Sequence, residues 1–406
     1  MSITLSLYDI KKAQENLKGI VRKTPLFHSS TFSKDTGYEV YLKCENKQKT
    51  GSFKLRGAYN KVASLTEEER ARGVVASSAG NHAQGVAYAS TIFGVKSTIC
   101  MPLTAPLAKV QATKNYGATV IQHGEVYDEC YAKAIEVQKE TGATFLHPFN
   151  DEYVIAGQGT IALEIFEDLP EVDTIIVPIG GGGIIAGIAV AAKAINPNVK
   201  IIGVQAEIIA SSKASLEKGE VVTVEGSKSL ADGISVKTPG DKTFEIIKEY
   251  VDEIVTVTED EIAYGIFALM ERNKVIAEGA GVVSLASLLT GKIKNAGKNV
   301  VAVISGGNID IATISKIIDR QLVLVERRIT LQFELKDKIG QLGALVAEVA
   351  TLGGNVSKIK QDKNWNPKGL EFTNIEIEIE TESKEHAAMI KNTLAIKGYI
   401  FEQIYK

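Results

Sequence analysis

The chain is predicted to be an α/β protein built on a parallel sheet and followed by a smaller ferredoxin-like module. Three observations lead there. Up to about Ile304, short continuous apolar runs alternate with helical patterns, which is how strands buried on both faces of a parallel sheet read. Three of those runs end in glycine- or serine-rich turns, two of them opening a helix, and strand ends are where such sheets bind ligands. Beyond Lys316 the pattern turns to strict alternation of apolar and polar residues, the mark of half-buried antiparallel strands.

In chain order, an opening helix is expected from Leu7 to Leu17. Strands are expected at Val74 to Ala76, Lys96 to Met101, Thr119 to Gln122, Thr144 to His147, Thr174 to Pro178, Lys200 to Gln205 and Val300 to Ile304. Helices such as Gln84 to Phe93 and Asp128 to Thr141 have the length of crossover connections. In the last part, Ile329, Leu331, Phe333 and Leu335 alternate with polar residues, and Ile375, Ile377 and Ile379 alternate with glutamates. Helices at Leu342 to Leu352, closed by Gly353 and Gly354, and at Ser383 to Lys397 complete a β-α-β-β-α-β order. The boundary falls near Arg320 to Glu326, which divides the chain into residues 1–320 and 326–406.

The length of 406 residues suggests two or three domains. A formal net charge of −3 and a pI near 6.1 give no footprint for nucleic acid and no polybasic membrane patch. Ile175 to Ala192 carries no charge, but Gly180 to Gly183 in its middle speak against a membrane span and for strand, turn and buried helix. Cys44, Cys100 and Cys130 show no paired spacing, so reduced thiols in a cytoplasm are expected, with no metal site. Residues 1–17 show no export signal. Small molecules and further copies of the chain are the expected partners.

Four loops carry chemistry. Lys49 to Gly57 reads Lys-Thr-Gly-Ser-Phe-Lys-Leu-Arg-Gly; Ser52 is a good N-cap, which puts Lys54 in the first turn of a helix. A helix N-terminus and burial both favour a neutral amine, the form that condenses with carbonyl compounds, whereas an ordinary surface lysine is the alternative for this stretch alone. Gly180 to Gly183, between strand and helix, lack side chains that would keep a phosphate from the backbone amides, and fit a phosphate monoester; a flexible loop is the alternative. Ser77, Ser78 and Asn81 form a donor-rich turn before a second helix, able to hold a carboxylate, and His82 beside them is read as structural. Ser305, in Ser-Gly-Gly-Asn, offers a neutral hydrogen bond to a ring nitrogen or simply caps a turn. Glu278 either shapes a substrate pocket or caps a helix.

Taken together, Gly51-Ser52-Phe53-Lys54-Leu55-Arg56-Gly57, Ser78-Ala79-Gly80-Asn81-His82, the tetraglycine loop and Ser305-Gly306-Gly307-Asn308 resemble the pyridoxal-phosphate enzymes of the tryptophan-synthase-β type (fold type II), specifically the threonine dehydratases or threonine ammonia-lyases. The resemblance covers about Leu7 to Arg320. It implies that Lys54 holds the cofactor as a Schiff base, with Phe53 beside its ring. It also implies that Asn81 meets the ring hydroxyl oxygen, Gly180, Gly181, Gly182, Gly183 and Ile184 cradle the phosphate, and Ser305 faces the pyridine nitrogen. The substrate carboxylate would rest on Ser78, Ala79, Gly80 and Asn81, and a small subdomain of about residues 44–149 would close over it. Lys54 would then remove the α-proton, and threonine would lose its β-hydroxyl and become 2-oxobutanoate and ammonia. L-Serine is the lesser substrate.

Serine racemases and serine dehydratases are the alternative. Racemases of this type resemble Ser-Ser-Gly-Asn-His, where the second serine is the acid/base on the opposite ring face; here that position is Ala79. They also carry acidic metal ligands where this chain has Gln205 and Ser211. Both departures favour elimination. The C-terminal module resembles an ACT domain through Asp337-Lys338-Ile339-Gly340-Gln341-Leu342. That implies an amino-acid effector such as isoleucine or valine near Asp337, Gly340 and Leu342, a role in isoleucine biosynthesis, and a homodimer or homotetramer; a dimerisation module without ligand is the alternative.

Overall fold

The computed structural model describes residues 5–362, 369 and 371–405. It divides into two compact units between Ile309 and Asp310.

The first unit carries two sheets. The larger has six strands in the order Leu26–His28, Glu39–Cys44, Asn299–Ile304, Thr174–Pro178, Lys200–Ala206, Glu253–Val257, parallel except for the first pair. The smaller is parallel throughout, in the order Thr119–Gln122, Ser97–Met101, Val74–Ser77, Thr144–Phe145. The expected strands stand within a residue or two of their positions. Leu26–His28, Glu39–Cys44 and Glu253–Val257 are additional, and charge explains why the second of these escaped. Glu39-Val-Tyr-Leu-Lys-Cys is interrupted by Lys43, whose side chain is fully buried and pairs with Glu164 at 2.6 Å. The helix Leu7–Leu17 starts with a reciprocal capping box between Ser6 and Asp9. Helices Glu152–Asp168 and Gly183–Ile195 run through the core of the large sheet, buried along most of their length.

A cluster of buried charge sits inside this unit. Arg56 donates to both carboxylate oxygens of Glu45 and both of Glu164, and to Thr160 Oγ1. It ties the helix Lys54–Ala63 to the end of strand Glu39–Cys44 and to helix Glu152–Asp168. Burial works against the charge on Glu45, but Arg56 outweighs it and holds that carboxyl below the ordinary range.

The second unit begins with helix Ile311–Leu324. It continues as an antiparallel sheet in the order Asn355–Asp362, Phe372–Glu380, Arg328–Lys336, Phe401–Ile404, covered by helices Gln341–Thr351 and Lys384–Ile396. Ile329, Leu331, Phe333 and Leu335 all face inward, opposite Ile375, Ile377 and Ile379. Each such side chain contributes on the order of 1.5–3 kcal/mol by leaving water. Among the described residues no helix is long and apolar enough to cross a membrane.

Candidate active site

Lys54 opens the helix Lys54–Ala63, and its Nζ donates to the carbonyl oxygen of Pro148 at 2.8 Å, with the Phe53 ring centroid 5.1 Å away. Burial pulls the amine down to about 8, against the opposing pull of the Glu278 carboxylate. The helix does not start as the sequence suggests. Ser52 is not its cap: Phe53 takes that position, and its side chain makes no capping bond. Ser52 instead forms a β-bridge with Gly306, and the Phe53 amide donates to the Ser305 carbonyl at 3.1 Å. The chain is pinned from outside by the Ser305 loop, which leaves the buried Ser52 hydroxyl without a partner among the described residues. Thr50 Oγ1 and Ser77 Oγ are likewise buried and unpartnered.

The tetraglycine loop joins the buried strand Thr174–Pro178 to helix Gly183–Ile195. Among the described residues the amides of Gly180 to Ile184 have no acceptor, and they lie at the positive end of the helix. The loop is gripped by its neighbours. A Cβ at Gly181 would overlap the Phe149 ring, and Thr243 donates to the Gly181 carbonyl at 2.6 Å. Glycine is therefore required there by packing as well as by any anion.

Strand Val74–Ser77 leads into helix Asn81–Ile92. Between them the Ser78 amide donates to Cys100 O at 3.1 Å, and the Gly80 amide to Ser78 Oγ at 3.2 Å, with Ala79 and Gly80 partly buried. Asn81 is engaged at both ends: its Nδ2 donates to Glu278 Oε1 at 2.5 Å, and its Oδ1 accepts from Asn308 Nδ2 at 2.6 Å. Glu278 occupies the cap position of helix Gly279–Leu289 but makes no capping bond with its side chain. Burial, with Asp232 nearby, pushes its carboxyl up to about 7 against the Asn81 hydrogen bond. Asp232 in turn pairs with Lys109 at 3.2 Å. His82 is buried, bonds Leu146 O at 2.9 Å and is pushed down to about 3 by burial and Lys54, which suits a structural role. Ser305 is buried, its Oγ 3.4 Å from the Ala280 carbonyl.

Lys54, Phe53, Asn81 and Ser305 thus converge through the Ser305 to Asn308 loop, and the glycine loop joins them through Pro148 and Phe149. Gln205 and Ser211 are spent on backbone: Gln205 Oε1 accepts from Lys213 N at 3.0 Å, and Ser211 Oγ donates to Val236 O at 2.6 Å. Sequence reasoning missed three participants. Asn308 stood inside a quoted motif, whereas the Pro148 carbonyl and the Lys109–Asp232 pair left no local signal. Asp337, Gly340 and Leu342 lie in the second unit, where they line a groove of about 410 Å³ together with Leu335, Gly343 and Ile375.

The residues suit an anionic aldehyde cofactor: a buried amine biased towards neutrality, a row of unpartnered amides, and unpartnered hydroxyls nearby. Comparison with known proteins agrees. Residues 17–306 match the family described as pyridoxal-phosphate dependent enzymes. Over 395 residues the chain is 53% identical to the L-threonine ammonia-lyase of Thermotoga maritima, covering 97% of this chain and 98% of that one. Among solved structures, the processed form of threonine deaminase isoform 2 from Solanum lycopersicum has a TM-score of 0.72 at 38% identity, covering 77% of this chain and 86% of that one. Maize serine racemase has a TM-score of 0.74 at 35% identity, covering 79% and 98%.

Proposed function

This chain belongs to the pyridoxal-phosphate dependent enzyme family, and we infer that its reaction is the ammonia-lyase reaction on L-threonine, giving 2-oxobutanoate and ammonia, with L-serine as the lesser substrate. The observation that carries the reading is Lys54, a buried amine pulled down to about 8 beside a glycine loop whose amides have no acceptor among the described residues. The 53% identity to a threonine ammonia-lyase over nearly the whole chain supports the choice of substrate.

When bound, pyridoxal phosphate supplies an electron sink for the pair left at the α-carbon. Lys54 and the amides of Gly180 to Ile184 would hold its two ends, Phe53 would flank the ring, Asn81 would meet its hydroxyl oxygen and Ser305 its nitrogen. Lys54 then does the chain's own chemistry: as a neutral amine, it takes the α-proton of threonine. The Ser78 to Asn81 turn, whose Ala79 and Asn81 amides have no acceptor among the described residues, would hold the substrate carboxylate. Ala79 offers no second acid or base, which favours elimination over racemisation.

On this reading the second unit is regulatory. Its groove at Asp337, Gly340 and Leu342 takes an amino acid such as isoleucine or valine, the enzyme serves isoleucine biosynthesis in the cytoplasm, and it works as a homodimer or homotetramer. The test is release of 2-oxoacid from L-threonine and L-serine by purified protein, with and without isoleucine and valine. A yellow protein that releases oxoacid faster from threonine is expected. D-Serine as the main product from L-serine would turn the assignment to racemisation.

A further inference from the structure

We propose that Glu278 is a positioning residue, which fixes the amide of Asn81 so that a single hydrogen remains to face the cofactor's ring oxygen. The proposal rests on the reading that Asn81 meets that oxygen. The geometry is a chain of one-way hydrogen bonds. Asn308 Nδ2 donates to the Thr50 carbonyl at 3.0 Å, an acceptor that cannot donate back, so the orientation of Asn308 is fixed. The same nitrogen donates to Asn81 Oδ1 at 2.6 Å, which leaves Asn81 Nδ2 facing Glu278 Oε1 at 2.5 Å. Reversing the Asn81 amide would set nitrogen against nitrogen at Asn308 and, with the Glu278 carboxyl ionised, oxygen against oxygen at Glu278. Of the two hydrogens on Asn81 Nδ2, one is spent on Glu278 and one is left.

The fold makes room for this carboxyl at some cost in freedom. The Glu278 amide donates to the Gly306 carbonyl at 3.1 Å, and any Cβ at Gly306 would overlap Glu278 Oε1. Glu278 is therefore wedged between the Asn81 turn and the Ser305 loop, two of the elements that surround Lys54. A buried carboxyl raised to about 7 is poorly placed to serve stability, and among the described residues its side chain hydrogen-bonds to Asn81.

The test compares holoenzymes carrying Glu278→Ala, Glu278→Gln, Asn81→Ala and the double change Asn81→Ala/Glu278→Ala. The readouts are the visible absorption band of the bound cofactor, the cofactor dissociation constant, and kcat against KM for L-threonine. Glu278→Ala is expected to move the band in the same direction as Asn81→Ala and to weaken cofactor binding roughly threefold to thirtyfold, with KM for threonine little changed. Glu278→Gln should restore both, because its amide oxygen accepts the same hydrogen bond, and the double variant should be no worse than Asn81→Ala alone. A Glu278→Ala enzyme with an unmoved band and unchanged cofactor affinity, or effects that simply add in the double variant, overturns the proposal. An unmoved band in Asn81→Ala instead overturns the reading of Asn81 beneath it. Should Glu278→Ala not fold, Glu278→Met, similar in volume and unable to accept the bond, replaces it in the same comparison.

Discussion

The Nζ of Lys54 donates to the carbonyl oxygen of Pro148 at 2.8 Å, and the ring of the next residue, Phe149, lies against Gly181. One short segment thus holds the amine and the glycine loop at once, and sets the distance between them. On the proposed reading, in which Lys54 is both anchor and base, Lys54→Ala should abolish the yellow colour and lower kcat/KM for threonine by at least about 10³-fold. Retained oxoacid formation in that variant would remove Lys54 from the chemistry.

The cofactor-free protein should show opposite pH trends from its two buried groups. Lys54 titrates near 8 folded and 10.5 when free, so between those values the unfolded chain binds the extra proton and stability rises with pH. Glu278 titrates near 7 folded and 4.5 when free, so between those values the folded chain binds the extra proton and stability falls as pH rises. Lys54→Met should therefore be more stable than the parent at neutral pH, by on the order of 1–3 kcal/mol, with the advantage fading by pH 10.5. Urea midpoints of both proteins across the range check it; parallel curves would exclude the assigned shift.

Gly181→Ala should separate packing from binding. The new methyl meets the Phe149 ring, and overpacking of this kind costs about 1–3 kcal/mol. It should lower the melting temperature of the cofactor-free protein and, by shifting the amide row, raise the cofactor dissociation constant. If cofactor affinity stays at the parent's value while stability falls, the glycine serves Phe149 alone.

The parts of the candidate site that are legible in the sequence are those packed into contiguous stretches at strand ends. Lys54, Asn81, Gly180 to Gly183 and Ser305 each lie in a short run whose composition makes chemical sense alone. What escaped depends on partners far along the chain. Glu278 reads as an isolated carboxylate until Asn81, 197 residues away, is brought against it. The Pro148 carbonyl has no side-chain signature at all. Ser52 has the residue type of a helix cap, but tertiary pinning by the Ser305 loop overrides that local preference. The strand Glu39–Cys44 was hidden because Lys43 breaks its apolar pattern, a lysine made tolerable by Glu164 from a distant helix and by the Thr24 carbonyl.

Arg56 should matter to folding rather than to the reaction. It is fully buried, and its removal strands Glu45 and Glu164 with Lys43 as the remaining cation in the cluster. Arg56→Met is expected to cost about 3–5 kcal/mol in urea denaturation. Arg56→Lys should recover only part of that, because the three donors of one ammonium cannot replace the guanidinium's bonds to four carboxylate oxygens. A loss below about 1 kcal/mol, the range of surface pairs, would mean that the cluster relaxes or hydrates.

The groove of the second unit can be closed without harming its fold. Gly343 lines it in the first turn of helix Gln341–Thr351, and a Cβ built there meets nothing within 4 Å. Leucine at this position is a better helix former than glycine by several tenths of a kcal/mol and would project into the space beside Leu335 and Ile375. Gly343→Leu should therefore keep the parent's melting temperature and its basal turnover of threonine. It should lose at least about tenfold in affinity for isoleucine or valine measured by calorimetry, which is the 1.4 kcal/mol expected when an apolar side chain is shut out of its pocket. If the proposed regulation holds, it should also lose any change in threonine turnover that isoleucine or valine produces in the parent. Undiminished effector binding in Gly343→Leu would place the amino acid elsewhere on the chain.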